Sequence, residues 1–211
     1  MVIVALQQVR YTAAMSTEIS DEALMLRYRD GDLTAFRELY GRHKSGLYRF
    51  ISWRSPRAEW VDEVFQDSWT ALHNARAGYQ VQASFKTYLY QIARNRLIDL
   101  LRQNQLVLAS ELGDDEDGDV LTHIADAQAP EETPETELAR KQDVASLHAA
   151  IQALPGEQRE ALVLQQFNGM SLEEIAQLTD TPAETIKSRL RYAMRKLRQQ
   201  LAGSGSREEL A

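Results

Sequence analysis

No cysteine occurs among the 211 residues. That excludes disulfides and thiolate metal sites and fits a reducing cytosol, so a cytoplasmic protein is expected. No apolar run approaches the roughly 20 residues of a membrane span, which argues against membrane insertion. The opening MVIVAL is too short for a secretory core and has no basic segment before it. Met15 is a second plausible start, and residues 1–20 read as a disordered extension. Strand-like alternation, a glycine-rich phosphate loop, a nucleophile elbow and internal repeats are all missing. The four histidines, at 43, 73, 123 and 148, share no ligand spacing. Neither a metal nor a cofactor is expected.

The net charge of −7 argues at first against nucleic acid. Its distribution reverses that reading. Residues 103–140 hold eleven acidic residues and one arginine, and the remainder carries a net +3. From Asn104 to Thr136 the pattern collapses into DDEDGD and PEETPET, an acidic linker. The DDEDGD run fails as an EF-hand loop. With Gly118 at position 6, Gly113 falls at position 1 and Ile124 at position 12, where carboxylates are required. A solvated tether is expected, with a nucleic-acid mimic as the sharper alternative.

The most specific segment is SLEEIAQLTDTPAETIKSRLRYAMRKLRQQL, residues 171–201. Ser171 precedes Glu174 by three residues and Thr181 precedes Glu184 by three, so two capping boxes are predicted. Pro182 follows the second cap, where no N–H is needed. Ile186, Leu190, Ala193, Leu197 and Leu201 form one apolar stripe. Six Lys/Arg stand against one Glu between 183 and 200. A short helix, a tight turn and a long basic helix predict a helix-turn-helix that enters the major groove. The plainer reading, a hairpin whose charges only solvate an outer face, explains neither the paired caps nor the basic bias. Thr185, Lys187, Ser188, Arg191 and Tyr192 fall on the half that meets base edges. Arg195 and Arg198, with Arg189 on the flank of the stripe, fall where phosphates are held.

Upstream, Ser20 or Asp21 caps a helix ending near Gly31, and Asp32 caps a longer one. A third helix runs from after Pro56 to about Asn74, where Glu63 and Asp67 share a face with Gln66 and Trp60 that reads as a polar docking surface rather than a pocket. Residues 76–83 form a loop, and Ser84 caps a fourth helix. There Phe85, Tyr88 and Tyr90 interleave with Lys86, Arg94, Asn95, Arg96 and Arg102, a mixture that suits exposed bases and their phosphates. Ordinary core with snorkelling arginines would look the same, and the pattern alone does not choose between them. Helices resume near Glu137 and break at Leu154-Pro155-Gly156. The chain reads as all-α, with two helical domains (21–103 and 137–201), a flexible linker (104–136) and a disordered tail (202–211).

Together these segments resemble an extracytoplasmic-function (ECF) RNA polymerase sigma factor, of the primary-sigma superfamily. "GDLTAFRELY" resembles the opening of the family's first domain, and "WVDEVFQDSW" its acidic polymerase-docking motif. "SFKTYLYQIARNRLIDLLR" resembles its melting and −10 helix, and "ALPGEQREALVLQQFNGMSLEEIAQLTDTPAETIKSRL" its −35 domain. Two departures stand out. Tyr88 replaces the usual Trp, and Tyr192 and Met194 replace a frequent Arg-x-Arg pair, leaving the −35 sequence open.

The resemblance implies that regions 2 and 4 flank the linker and that the chain binds core RNA polymerase and promoter DNA. Asp62, Glu63, Gln66, Asp67 and Trp69 would dock on the clamp of the largest subunits. Tyr79, Gln80, Phe85, Lys86, Tyr88, Arg94 and Asn95 would open and read the −10 element. An anti-sigma protein is a further candidate partner. Two other classes compete with this reading. A free-standing helix-turn-helix regulator would carry a sensor in its first half, usually α/β. An enzyme using Asp62, Glu63 and Asp67 would need a second carboxylate or histidine spaced to assist, and none is. No catalytic residue is assigned.

Overall fold

The computed structural model describes residues 19–108 and 144–205, and among them every regular element is helical. Helix α1 (Asp21–Arg29) begins where Ser20 Oγ accepts from the Ala23 amide at 3.2 Å, with Asp21 and Glu22 in its first turn and Arg27 and Arg29 in its last. Gly31, at φ +106°, reverses the chain. Asp32 then caps α2 (Leu33–Arg54) by accepting from Thr34 at 2.9 Å. Helix α3 (Glu59–Ala75) runs into a 3₁₀ turn at Arg76–Gly78. Ser84 Oγ accepts from the Thr87 amide at 3.2 Å and starts α4 (Phe85–Leu108). This helix passes the expected linker boundary at 104, because residues 103–108 (QNQLVL) contain no breaker.

The second unit comprises α5 (144–152), α6 (Gly156–Leu162), α7 (Leu172–Thr179) and α8 (Ala183–Gly205). Pro155 and Gly156 separate α5 from α6 as expected. Helix α6 continues into a wide π turn at Val163–Phe167, a form that recurs at functional positions. Helix α8 continues four residues into the expected disordered tail, to Gly205. The expectations for residues 1–18, for 109–143 with the acidic run and the helix expected near Glu137, and for 206–211 lie outside the described residues.

In the first unit Leu39, Leu47, Phe50 and Ile51 of α2 pack with Val64 and Leu72 of α3 and Leu89, Ala93 and Leu97 of α4. In the second, Leu162, Ile175, Leu178, Ile186, Leu190 and Ala193 are buried. The two cores join in one continuous cluster. At the seam Trp53 of α2 lies against His148 at 4.4 Å and Phe167 at 6.0 Å between ring centroids.

Candidate nucleic-acid interface and docking face

The helix-turn-helix forms as the sequence predicts, with one difference. Ser171 Oγ accepts from the Glu174 amide at 3.1 Å, and Glu174 Oε2 accepts from the Ser171 amide at 2.9 Å, completing the first capping box. The second box does not close. Thr181 Oγ1 instead donates to the Thr179 carbonyl at 3.1 Å, and the Pro182 carbonyl accepts the first bond of α8 from Ile186. The turn is made by Asp180 in the left-handed region (φ 50°, ψ 48°), which a short polar side chain tolerates.

On α8 the stripe of Ile186, Leu190, Ala193 and Leu197 is buried. Thr185, Lys187, Arg191, Tyr192, Arg195 and Arg198 are exposed, and Ser188 and Arg189 are half-buried. The Arg191 and Arg195 guanidiniums lie 5.3 and 4.9 Å from the Tyr192 ring centroid, so one aromatic ring restrains two cations. Arg189 is held by Glu157 of α6 at 2.6 Å, which makes it a brace between helices at the flank of the exposed face of α8.

On α3, Asp62, Glu63 and Gln66 are exposed and Asp67 is half-exposed. Tyr48 donates to Asp62 at 3.1 Å, and Arg96 of α4 bridges Glu63 at 3.1 Å and Asp67 at 2.6 Å. The carboxylates are thus spread along one face and partly neutralised from one side. Trp69 does not belong to that face. It is 7% exposed, with its ring edge-on to Phe36 at 5.8 Å, so it supports α3 from beneath.

The residues expected to read a separated strand divide similarly. Gln80 and Asn95 are exposed, and Tyr88, Lys86 and Arg94 are half-buried. Phe85 is 0% exposed: its ring lies 5.1 Å from His43, and its amide donates to Glu22 at 2.8 Å. It is core, not the lining of a base pocket. Tyr79 is buried against Tyr88 at 5.3 Å. Burial and then the nearby Glu22 push its phenol up to about 12, and its hydroxyl lacks a hydrogen-bond partner among the described residues.

Lys86 and Arg94 face the second unit. Lys86 Nζ donates to the Asn168 carbonyl at 3.0 Å, and Arg94 Nε to Glu160 at 3.1 Å. No sequence motif points to Glu160, Asn168 or Arg54. The only signal was an acid set within the apolar run EALVL.

Fold and surfaces define an all-helical DNA-binding protein of two units. Residues 39–107 match sigma-70 region 2 and residues 145–197 match sigma-70, region 4. The chain is 30% identical over 182 residues to the RNA polymerase sigma-H factor of Pseudomonas aeruginosa, covering 83% of this chain and 91% of that one. It is 29% identical over 182 residues to the ECF RNA polymerase sigma-E factor of Haemophilus influenzae, covering 83% and 92%. The sigma factor RpoE in complex with the anti-sigma factor NepR, from Bartonella quintana, has a similar fold (TM-score 0.66, 22% identity, 79% of this chain and 96% of that one). So has CnrH in complex with the cytosolic domain of CnrY (TM-score 0.61, 22% identity, 87% and 97%). The chain belongs to the ECF RNA polymerase sigma factor family.

Proposed function

We propose that this chain binds core RNA polymerase and directs initiation at promoters whose −10 and −35 elements it reads itself. The observation that carries this reading is the open recognition face of α8, set in the same chain as the acidic face of α3. A free-standing regulator needs the first and has no use for the second. In this reading Lys187, Ser188, Arg191 and Tyr192 meet −35 base edges, with Arg191 placed for a bidentate guanine contact. Arg195 and Arg198 hold phosphates.

Asp62, Glu63, Gln66 and Asp67 meet a basic surface of the polymerase clamp, where paired and partly desolvated carboxylates are costly to remove. Lys86, Tyr88, Arg94 and Asn95 engage the separated −10 strand, beside Gln80 of the preceding loop. The chain itself performs no catalysis and works in the cytoplasm. No helix among the described residues is long and apolar enough to cross a membrane. The NepR complex of the Bartonella factor supports an anti-sigma protein as a further partner.

The test is transcription in vitro with purified core polymerase on a genomic library. Specific starts sharing −10 and −35 elements are expected. Asp62→Arg with Glu63→Arg should abolish co-purification with core while circular dichroism stays unchanged. Core binding that survives the double charge reversal overturns the docking assignment.

A further inference from the structure

Two guanidiniums from different helices converge on one buried carboxylate at the seam. Arg94 of α4 reaches Glu160 at 3.1 Å and Arg54 of α2 reaches the same oxygen at 3.5 Å. Glu160 is only 4% exposed. A carboxylate so buried persists only while its cations stay in place, which separates this cluster from an incidental rim contact. We propose that Arg54 and Arg94 form an exchangeable anion site. Glu160 fills it in the free chain, and a backbone phosphate of the separated promoter strand takes it when the two units part. This inference rests on the reading of α4 as the −10 helix.

The surroundings of the site support exchange. Where Lys86 takes the Asn168 carbonyl, Tyr90 donates to Asn168 Oδ1 at 2.7 Å, and Ser84 donates to Glu174 at 2.7 Å. Along this face of α4 the second unit thus presents carbonyl and carboxylate oxygens to hydroxyl, ammonium and guanidinium donors. A DNA strand presents oxygens to the same donors, and the arginine fork suits phosphate at least as well as carboxylate. When the second unit leaves, Glu160 leaves with α6, and two arginines remain on the first unit without their anion.

Gly46 supplies an independent observation. It stands in the interior of the 22-residue α2, where glycine is unfavourable. A Cβ there would lie 2.8 Å from Tyr90 Oη and 3.0 Å from Asn168 Oδ1. These two atoms are the ends of the hydrogen bond that ties α4 to the second unit, so a side chain at this position would displace that bond, and glycine lets the seam close. Closure and strand binding then exclude each other, and the apparent affinity of the free chain for a strand falls by the fraction that is open.

The test uses the full chain and fluorescein-labelled dT12, followed by anisotropy over a salt series. Glu160→Gln should tighten binding at least tenfold. Gly46→Leu, which leaves the charge unchanged and favours the helix, should do the same with helicity retained. In the Glu160→Gln background, Arg54→Ala should remove most of the gain and lower the log–log salt slope by about 0.7, one phosphate on a single strand. Unchanged affinity in both unlatched variants overturns the proposal, and so does full affinity and slope after Arg54→Ala. Should Lys86→Ala and Arg94→Ala leave open-complex formation by the holoenzyme intact, the −10 reading itself falls. Should they impair it while Glu160→Gln and Gly46→Leu change nothing, only the exchange falls.

Discussion

Helices α4 and α8 both carry the cations assigned to DNA, yet they sit in opposite surroundings. On α8, Arg191, Tyr192 and Arg195 face outward and restrain one another. On α4, Lys86 and Arg94 are spent on oxygens of the second unit, and the aromatic residues beside them are largely core. Basic and aromatic content therefore does not distinguish a standing DNA surface from a conditional one. What distinguishes them is which partners already occupy the donors. On the proposed reading, one helix meets duplex DNA as it stands in the free chain, and the other meets a separated strand only after the second unit leaves it.

The sharpest way to break this contrast is to remove an aromatic ring from each helix. Phe85 is 0% exposed and Tyr192 is 40% exposed. Phe85→Ala should cost about 3–5 kcal/mol of stability, through lost burial plus the cavity it leaves. Tyr192→Ala should change stability by no more than about 0.5 kcal/mol. Urea midpoints with constant slope measure both. Equal losses would mean that the two helices are packed alike.

The next effect concerns what an open helix can read. Arg191→Ala should cost about 1–3 kcal/mol of discrimination at a single −35 position. Arg198→Ala should weaken every sequence alike and lower the log–log salt slope by about 0.9. Binding selection at two salt concentrations separates the two outcomes. If Arg191→Ala leaves the preference intact, α8 is docked in another rotation.

Much of this architecture was legible because its causes are local. Asp32, Ser84 and Ser171 each cap the helix that the sequence assigns to them, and Ser20, of the two candidates Ser20 and Asp21, caps the first, since a side-chain oxygen beside an orphan amide needs only its immediate neighbours. The apolar stripe of α8 followed from period alone. Trp69 and Phe85 were harder, because periodicity names a face but not how wide the buried sector around it is. Thr181 matched the capping pattern, yet its hydroxyl turned back to Thr179 once Asp180 had set the turn. The seam was not legible. No local pattern states that Glu160 will meet Arg54 and Arg94, and a glycine inside a helix hints only at some close approach.

The two predicted capping boxes offer a smaller test within the second unit. Ser171→Ala removes a bond to the Glu174 amide and should cost about 1 kcal/mol. Thr181→Ala removes a bond to a carbonyl and a long contact of 3.5 Å from Arg189, and should cost less. Thermal midpoints of both variants check the order, and a larger loss at Thr181 would show that the second box governs the turn.

The smallest expected effect lies at the support of α4. Asp21 accepts from Arg42 at 2.8 Å and is paired with buried His43 at 2.6 Å, beneath the ring of Phe85. The His43 hydrogen bond, opposed by burial and aided by Arg42, holds the Asp21 carboxyl below its ordinary 3.8. A carboxyl with a depressed folded value stabilises fully above its unfolded value, and that contribution disappears as pH falls through the folded one. The destabilisation caused by Asp21→Asn should therefore be constant well above pH 4 and shrink below it. Because Asp21 is partly exposed, screening keeps the contribution small, on the order of 1 kcal/mol or less. Urea titrations of both proteins between pH 6 and pH 3 measure the difference. A gap that widens on acidification would mean that Asp21 is held protonated, with the pairing to His43 reversed in sense.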